Sequence, residues 1–231
     1  MLEKIKMFVL AHAGGNVWDY VRLFKEIKGI EIIPIELSGD LTKLNENILA
    51  SIDEYVTEVY KKITVEYNDS IPIILFGHSF GAYITYELSK RFQTDKLKLV
   101  IMSGCSPLHT DVNFDVRKLN LVGRTNNVEL NETIDLVNSN ILQKVDLVSE
   151  YRAKQRNHKP GIVNQYTNCC ILCGTEDPFA VCNEEWKYYY TAKNFVIEYF
   201  EGGHFFWNDH DNSMQKMLKV IQREINKIIG N

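Results

Sequence analysis

The feature that most constrains this chain is a serine wedged between a strand and a helix. The run Ile71-Pro72-Ile73-Ile74-Leu75-Phe76 leads directly into Gly77-His78-Ser79-Phe80-Gly81, and a helical segment follows at once. A serine at so sharp a strand-to-helix turn sits in a strained backbone conformation, and the residues two positions before and after it must be small to avoid clashes. The turn pushes the hydroxyl above a sheet. The rest of the chain supplies that sheet. Short β-rich runs at 5–10, 30–35, 71–76, 97–102, 168–173 and 195–200 alternate with helical ones. Ile48, Leu49, Ile52, Val56, Val59, Tyr60 and Ile63 recur at helical spacing, and so do Met214, Met217, Leu218, Ile221, Ile225, Ile228 and Ile229. The pattern predicts an α/β fold, a mostly parallel sheet with helices on both faces.

One segment breaks the alternation. Residues 106–165, rich in Asn and with Leu and Val at loosely helical spacing, carry no strand signal. They read as an insertion after a central strand, at the carboxyl ends of the strands where such sheets place their ligands, and so as a helical lid. The 231 residues, 45% hydrophobic, suit a single domain over 1–231. A net charge of -4 argues against a broad nucleic-acid-binding surface.

Five cysteines, an odd number spread through apolar segments, fit a reducing compartment and predict a cytoplasmic protein. Cys170 and Cys173 form a C-x-x-C inside a strand-like run, where their side chains point to opposite faces and cannot share a metal; no metal or cofactor is expected. Lys4 and Lys6 before 7–13 mimic a secretory leader, but the apolar run is too short. The longest uncharged stretch, 70–86, carries glycines, a proline and a histidine, so no membrane span is expected.

A serine hydroxyl is a poor nucleophile at neutral pH and needs a base, itself oriented by an acid. After the strand at 168–173 comes Gly174-Thr175-Glu176-Asp177-Pro178, and after the strand at 195–200 comes Glu201-Gly202-Gly203-His204. The order Ser79, Asp177, His204 is that of an α/β-hydrolase fold. Of the six histidines, His204 alone follows a late strand through a Gly-Gly turn and precedes the last amphipathic helix. For the acid, Glu176, Asp209 and Asp211 compete with Asp177 by proximity in sequence. The anionic oxygen of an acyl-transfer intermediate needs backbone N–H donors. Phe80, next to the nucleophile, supplies one, and Ala13, in the small-residue loop Ala11-His12-Ala13-Gly14-Gly15, is the expected second. That loop lacks the Gly-x-Gly-x-x-Gly of a dinucleotide site.

Four blocks together resemble the type II, proofreading thioesterases that accompany nonribosomal peptide and polyketide synthases: FVLAHAGGNVWDY at 8–20, LFGHSFGA at 75–82, CGTEDP at 173–178 and EGGHFF at 201–206. The resemblance implies a catalytic triad of Ser79, Asp177 and His204 and an oxyanion hole formed by the N–H groups of Ala13 and Phe80. It implies as substrate an acyl or aminoacyl thioester on the phosphopantetheine arm of an acyl or peptidyl carrier protein. The sequence departs from the family in the turn after 30–35, where Leu37-Ser38-Gly39-Asp40 replaces a Pro-Gly-His/Arg-Gly turn, and in the Asn-rich insertion. Arg152, Lys154, Arg156 and Lys159, with no acid between Tyr151 and Tyr166, form the candidate surface for docking an acidic carrier. The rival readings are a small-molecule carboxylesterase and a non-catalytic binding module on a retained hydrolase fold.

Overall fold

Six β-forming runs become six strands: β1 (Ile5–Leu10), β2 (Ile30–Ile35), β3 (Ile73–His78), β4 (Leu97–Ser103), β5 (Asn168–Gly174) and β6 (Phe195–Phe200). The structure is a computed structural model, and it describes residues 4–66, 71–92, 95–112, 121–156, 167–181, 183–190 and 194–230. The strands pair in parallel throughout, in the order β2-β1-β3-β4-β5-β6. β3 starts two residues later than its apolar run. Pro72 has no N–H to give the ladder, so regular pairing begins at Ile73 and continues through Gly77 and His78 opposite Met102 and Ser103. Ser79 therefore leaves the sheet with no intervening loop.

Alternation along the strands divides the core in two. Phe8 and Leu10 of β1, with Ile73 and Leu75 of β3, pack toward α2 (Ile52–Glu66) and α3 (Phe80–Arg91). Met7, Val9, Ile74 and Phe76 pack toward α1 (Val17–Leu23) and α6 (Asp211–Ile229), which follows the short α5 (Phe206–Asp209). All six residues of β3 are buried, and each large apolar side chain so buried contributes about 1.5–3 kcal/mol. Cys173 lies in the first cluster and Cys170 in the second, on opposite faces of the sheet.

Local chemistry sets the helix ends. α2 starts at Ile52, later than the helical spacing from Ile48, because Ser51 and Glu54 cap it: Ser51 Oγ accepts the Glu54 N–H (3.2 Å) and Glu54 Oε2 accepts the Ala50 N–H (3.0 Å). The aromatic cluster around Trp186 is a 3₁₀ turn (Asn183–Tyr188) rather than a longer helix; Trp186 is buried and donates to Cys105 O, while Tyr188 stays exposed.

Between β4 and β5, α4 (Val128–Gln155) runs for 28 residues, its first turn capped by Asn127 Oδ1 accepting the Leu130 N–H. Arg152 anchors its last turn. The guanidinium is buried and donates to Tyr83 Oη (2.9 Å), Ser106 O (2.8 Å) and Thr110 O (2.6 Å). This removes Arg152 from the basic docking surface: its charge is spent on buried acceptors inside the protein, and it cannot face a partner. Arg156 remains exposed and pairs with Asp111, and Lys159 lies outside the described residues.

The chain leaves β1 toward β2 on one side and β3 toward β4 on the other, so the carboxyl ends of β1 and β3 form a switch point, the place where open α/β sheets bind ligands. The Ala11–Gly15 loop and Ser79 both emerge there. Replacing Arg152 with methionine keeps the stem but strands its acceptors. Arg152→Met should destabilise the fold by about 3 kcal/mol, lowering Tm by roughly 6–12 °C in a calorimetric scan.

Candidate active site

Ser79 sits at φ 54 and ψ -115, the one non-glycine residue with positive φ among the described residues. Such a conformation costs about 1–3 kcal/mol and persists only where the surroundings impose it. The surroundings are backbone. A Cβ on Gly77 would come within 2.2 Å of Gly81 O, and one on Gly81 within 2.6 Å of Ala11 O. The Ser79 N–H donates to Ser103 O (2.8 Å) and the Gly81 N–H to Ala11 O (3.1 Å). Between them, the Phe80 N–H at the start of α3 takes no acceptor among the described residues. It carries the positive end of the helix dipole.

His204 and Asp177 meet although 27 residues separate them. Asp177, held in the turn after β5, places Oδ2 at 2.8 Å from His204 Nδ1, and its Oδ1 accepts the Phe179 N–H (2.8 Å). The carboxylate side chain is fully buried and the imidazole nearly so. With Nδ1–H donated to Asp177, the lone pair of Nε2 is left for a proton acceptor's role. The competing acids go elsewhere. Glu176 is exposed, Asp211 opens α6, and Asp209 Oδ2 accepts the Gly203 N–H (2.8 Å), bracing the turn that carries His204.

Two more histidines stand behind His204. The His78 ring lies 4.6 Å from that of His204 and 6.0 Å from that of His12. Neither has a carboxylate partner: His78 Nδ1 meets Ser103 Oγ (3.1 Å) and His12 Nδ1 meets Tyr20 Oη (2.7 Å). Burial, with the neighbouring positive charges of His204 and Lys144, pulls His12 down to about 3, and burial holds His78 well below its ordinary value. Both are neutral near pH 7. Among the described residues, His204 alone of the three pairs with a carboxylate.

A cavity of about 430 Å³ opens over Ser79 and His204. Ala13, Gly14 and Phe80 line it on the sheet side. Its roof is one face of α4, where Leu130, Ile134, Val137, Ile141, Val145 and Val148 recur at helical spacing. One lysine interrupts this apolar wall. Lys144 is fully buried, 2.5 Å from Asp40 Oδ1, and the same Oδ1 accepts the Gly14 N–H (3.1 Å). Burial raises the Asp40 carboxyl to about 6 and lowers the Lys144 ammonium, each against the attraction of the other. Sequence reasoning missed this pair, His12 and the apolar stripe as a cavity wall. Asp40 and Lys144 lie 104 residues apart, and no local pattern links them.

If Asp177 orients His204, Asp177→Asn should lower kcat by about 10³–10⁴. Asp209→Asn keeps an acceptor for Gly203 and should stay within about threefold of wild type. Steady-state kinetics on any accepted ester or thioester checks both, and the reverse ranking would reassign the acid.

Residues 5–225 match the thioesterase-domain family. Thioesterase TesA of Mycobacterium marinum is 27% identical over 103 residues, 43% of this chain and 41% of that protein. Phenyloxazoline synthase MbtB of Mycobacterium tuberculosis is 24% identical over 230 residues, 94% of this chain and 16% of that protein. The chain thus covers less than half the length of these relatives. The solved structure of the type II thioesterase BorB from the borrelidin biosynthetic cluster shares the fold, with a TM-score of 0.70 at 21% identity over 97% of this chain and 94% of that one. The chain belongs to the thioesterase-domain family.

Proposed function

We propose that this protein hydrolyses acyl or aminoacyl thioesters from the phosphopantetheine arm of carrier proteins, clearing stalled or misprimed peptide or polyketide synthases. The observation that carries the reading is the convergence, under an apolar roof, of the strained Ser79 and the Asp177-bound His204. In this reading Ser79 Oγ attacks the thioester carbonyl while His204 Nε2 takes its proton. The N–H groups of Phe80 and Ala13 stabilise the oxyanion. The C–S bond breaks, the thiol leaves with the proton held by His204, and an acyl-Ser79 ester remains. Water, deprotonated by His204, then attacks that ester; the acid product leaves and Ser79 recovers its proton. Two carbonyl-transfer steps replace one, and no metal or redox group is required.

The apolar chamber supports an acyl group as the buried half of the substrate, and the MbtB and BorB likenesses support a synthase-linked carrier as the other half. No helix among the described residues is long and apolar enough to cross a membrane. Cys105, Cys169, Cys170 and Cys173 are buried free thiols, which supports a reducing cytoplasmic setting.

The test is turnover of one acyl panel presented on a holo carrier protein, on free pantetheine and as simple alkyl esters. Carrier-bound thioesters should show the highest kcat/KM, and Ser79→Ala should remove about 10⁶ of the rate while leaving the fold intact. Faster turnover of the alkyl esters would replace this reading with that of a carboxylesterase. A Ser79 that fluorophosphonate never labels would make the fold a binding module.

Docking is assigned to Lys154 and Arg156, the members of the basic cluster left at the surface end of α4. Reversing both to glutamate should raise KM for the carrier-bound thioester and flatten its salt dependence, with free pantetheine thioester turnover unchanged. Equal loss on both substrates would assign the cluster a structural role.

A further inference from the structure

Asp40 takes no part in the chemistry above, yet it touches the two parts of the site that must come together. Its Oδ1 accepts the N–H of Gly14, the residue after the proposed oxyanion donor Ala13, and also binds Lys144 of the roof helix. Gly14 has φ +71, a conformation open to glycine at little cost, and the bond to Asp40 fixes the direction of its N–H within that freedom. Two further bonds knit the same loops: Gly15 N–H to His12 O (2.9 Å) and Leu41 N–H to Gly15 O (3.3 Å). The Ala13–Gly14 segment therefore rests on the turn that carries Asp40.

α4 rests on both loops through three residues. A Cβ on Gly14 would come within 2.4 Å of Ile141 Cγ1, so the helix packs directly on that glycine. Asn140 Nδ2 donates to Gly39 O and Leu44 O, each at 3.2 Å. Lys144, one turn on, supplies the charge that Asp40 faces. Asp40 Oδ2 has no hydrogen-bond partner among the described residues, where the buried carboxylate is held by Lys144 and one backbone N–H. Separating α4 from this turn would leave the carboxylate uncompensated, and a carboxyl that takes up a proton in response accepts a hydrogen bond less strongly.

We propose that Asp40 is a positioning residue that couples the seating of α4 to assembly of the oxyanion hole: it fixes the Ala13–Gly14 loop while Lys144 neutralises it. The coupling makes the hole competent only while α4 is seated on the turn that carries Asp40. It rests on the reading of Ser79 as nucleophile and Ala13 as oxyanion donor.

Four variants test it, Asp40→Ala, Asp40→Asn, Lys144→Met and the double variant Asp40→Asn with Lys144→Met, each checked for folding by circular dichroism and thermal melting. Two rates are read: kcat on an acyl-pantetheine thioester and the second-order rate of Ser79 labelling by a fluorophosphonate, whose oxygen uses the same hole. Loss of a well-placed oxyanion donor costs about 10² in kcat, so Asp40→Ala should lower kcat and the labelling rate by about that factor with KM within about threefold. Asparagine keeps an acceptor for the Gly14 N–H and needs no counter-charge. Asp40→Asn should therefore recover to within about tenfold of wild type, and adding it to Lys144→Met should restore activity that Lys144→Met alone has lost.

Wild-type rates in Asp40→Ala, with only a lowered Tm, would overturn the proposal and make Asp40 structural glue. A double variant no faster than Lys144→Met would overturn it too, and that comparison decides the matter if Asp40→Ala does not fold. A wild-type protein that labels at Ser79 but leaves thioesters intact would sink the thioesterase reading alone, because the labelling rates of the four variants still measure the hole.

Discussion

The site depends on backbone touching backbone at two glycines. Gly77 approaches Gly81 O, and Gly81 approaches the carbonyls of Leu10 and Ala11, at distances no side chain could enter. This contact brings the end of β1 against the start of α3, so the loop after β1 and the residue after Ser79 are held side by side. It also forces the positive φ of Ser79, since a helix that begins this close to a strand leaves no room for a gradual turn. The strain, about 1–3 kcal/mol, is small beside the burial of β3 and α3 around it. A rigid sheet thus carries a local conformation that an isolated peptide would not adopt.

Charge in the site is arranged by removal of water. The His78 ring lies between those of His204 (4.6 Å) and His12 (6.0 Å), and among the described residues only His204 of the three pairs with a carboxylate. The other two stay uncharged because burial penalises their protonated forms. The same physics shifts both Asp40 and Lys144 toward neutrality, and only their contact keeps an ion pair in so dry a place.

What could be read in the sequence was what local pattern encodes. The alternation of β and helical runs located all six strands, because parallel strands and crossover helices each carry their own period. Ser79 was legible because its turn demands glycines at fixed offsets, and Asp177 and His204 because each follows a strand end. The positions of strand and helix starts were less so, although Pro72 and the Ser51–Glu54 cap account for them once seen. Contacts between distant segments were not legible. Arg152 looked like one of four surface cations, and it is buried only because Ser106 O, Thr110 O and Tyr83 converge on it from elsewhere in the chain. A charge on an amphipathic helix reveals its partner only after the helix is placed.

The roof of the chamber has a consequence for how such a protein can diversify. Apolar side chains of α4 form one wall of the space above Ser79, whereas Ser79, Asp177 and His204 are carried by turns at strand ends. The surface that measures the guest and the surface that reacts with it therefore belong to different stretches of chain. Replacing a valine or isoleucine on that stripe other than Ile141, which packs on Gly14, reshapes the container and leaves the strands beneath it as they were. Selectivity can drift at the rate of a surface helix while the reactive centre stays under the constraint of a packed sheet.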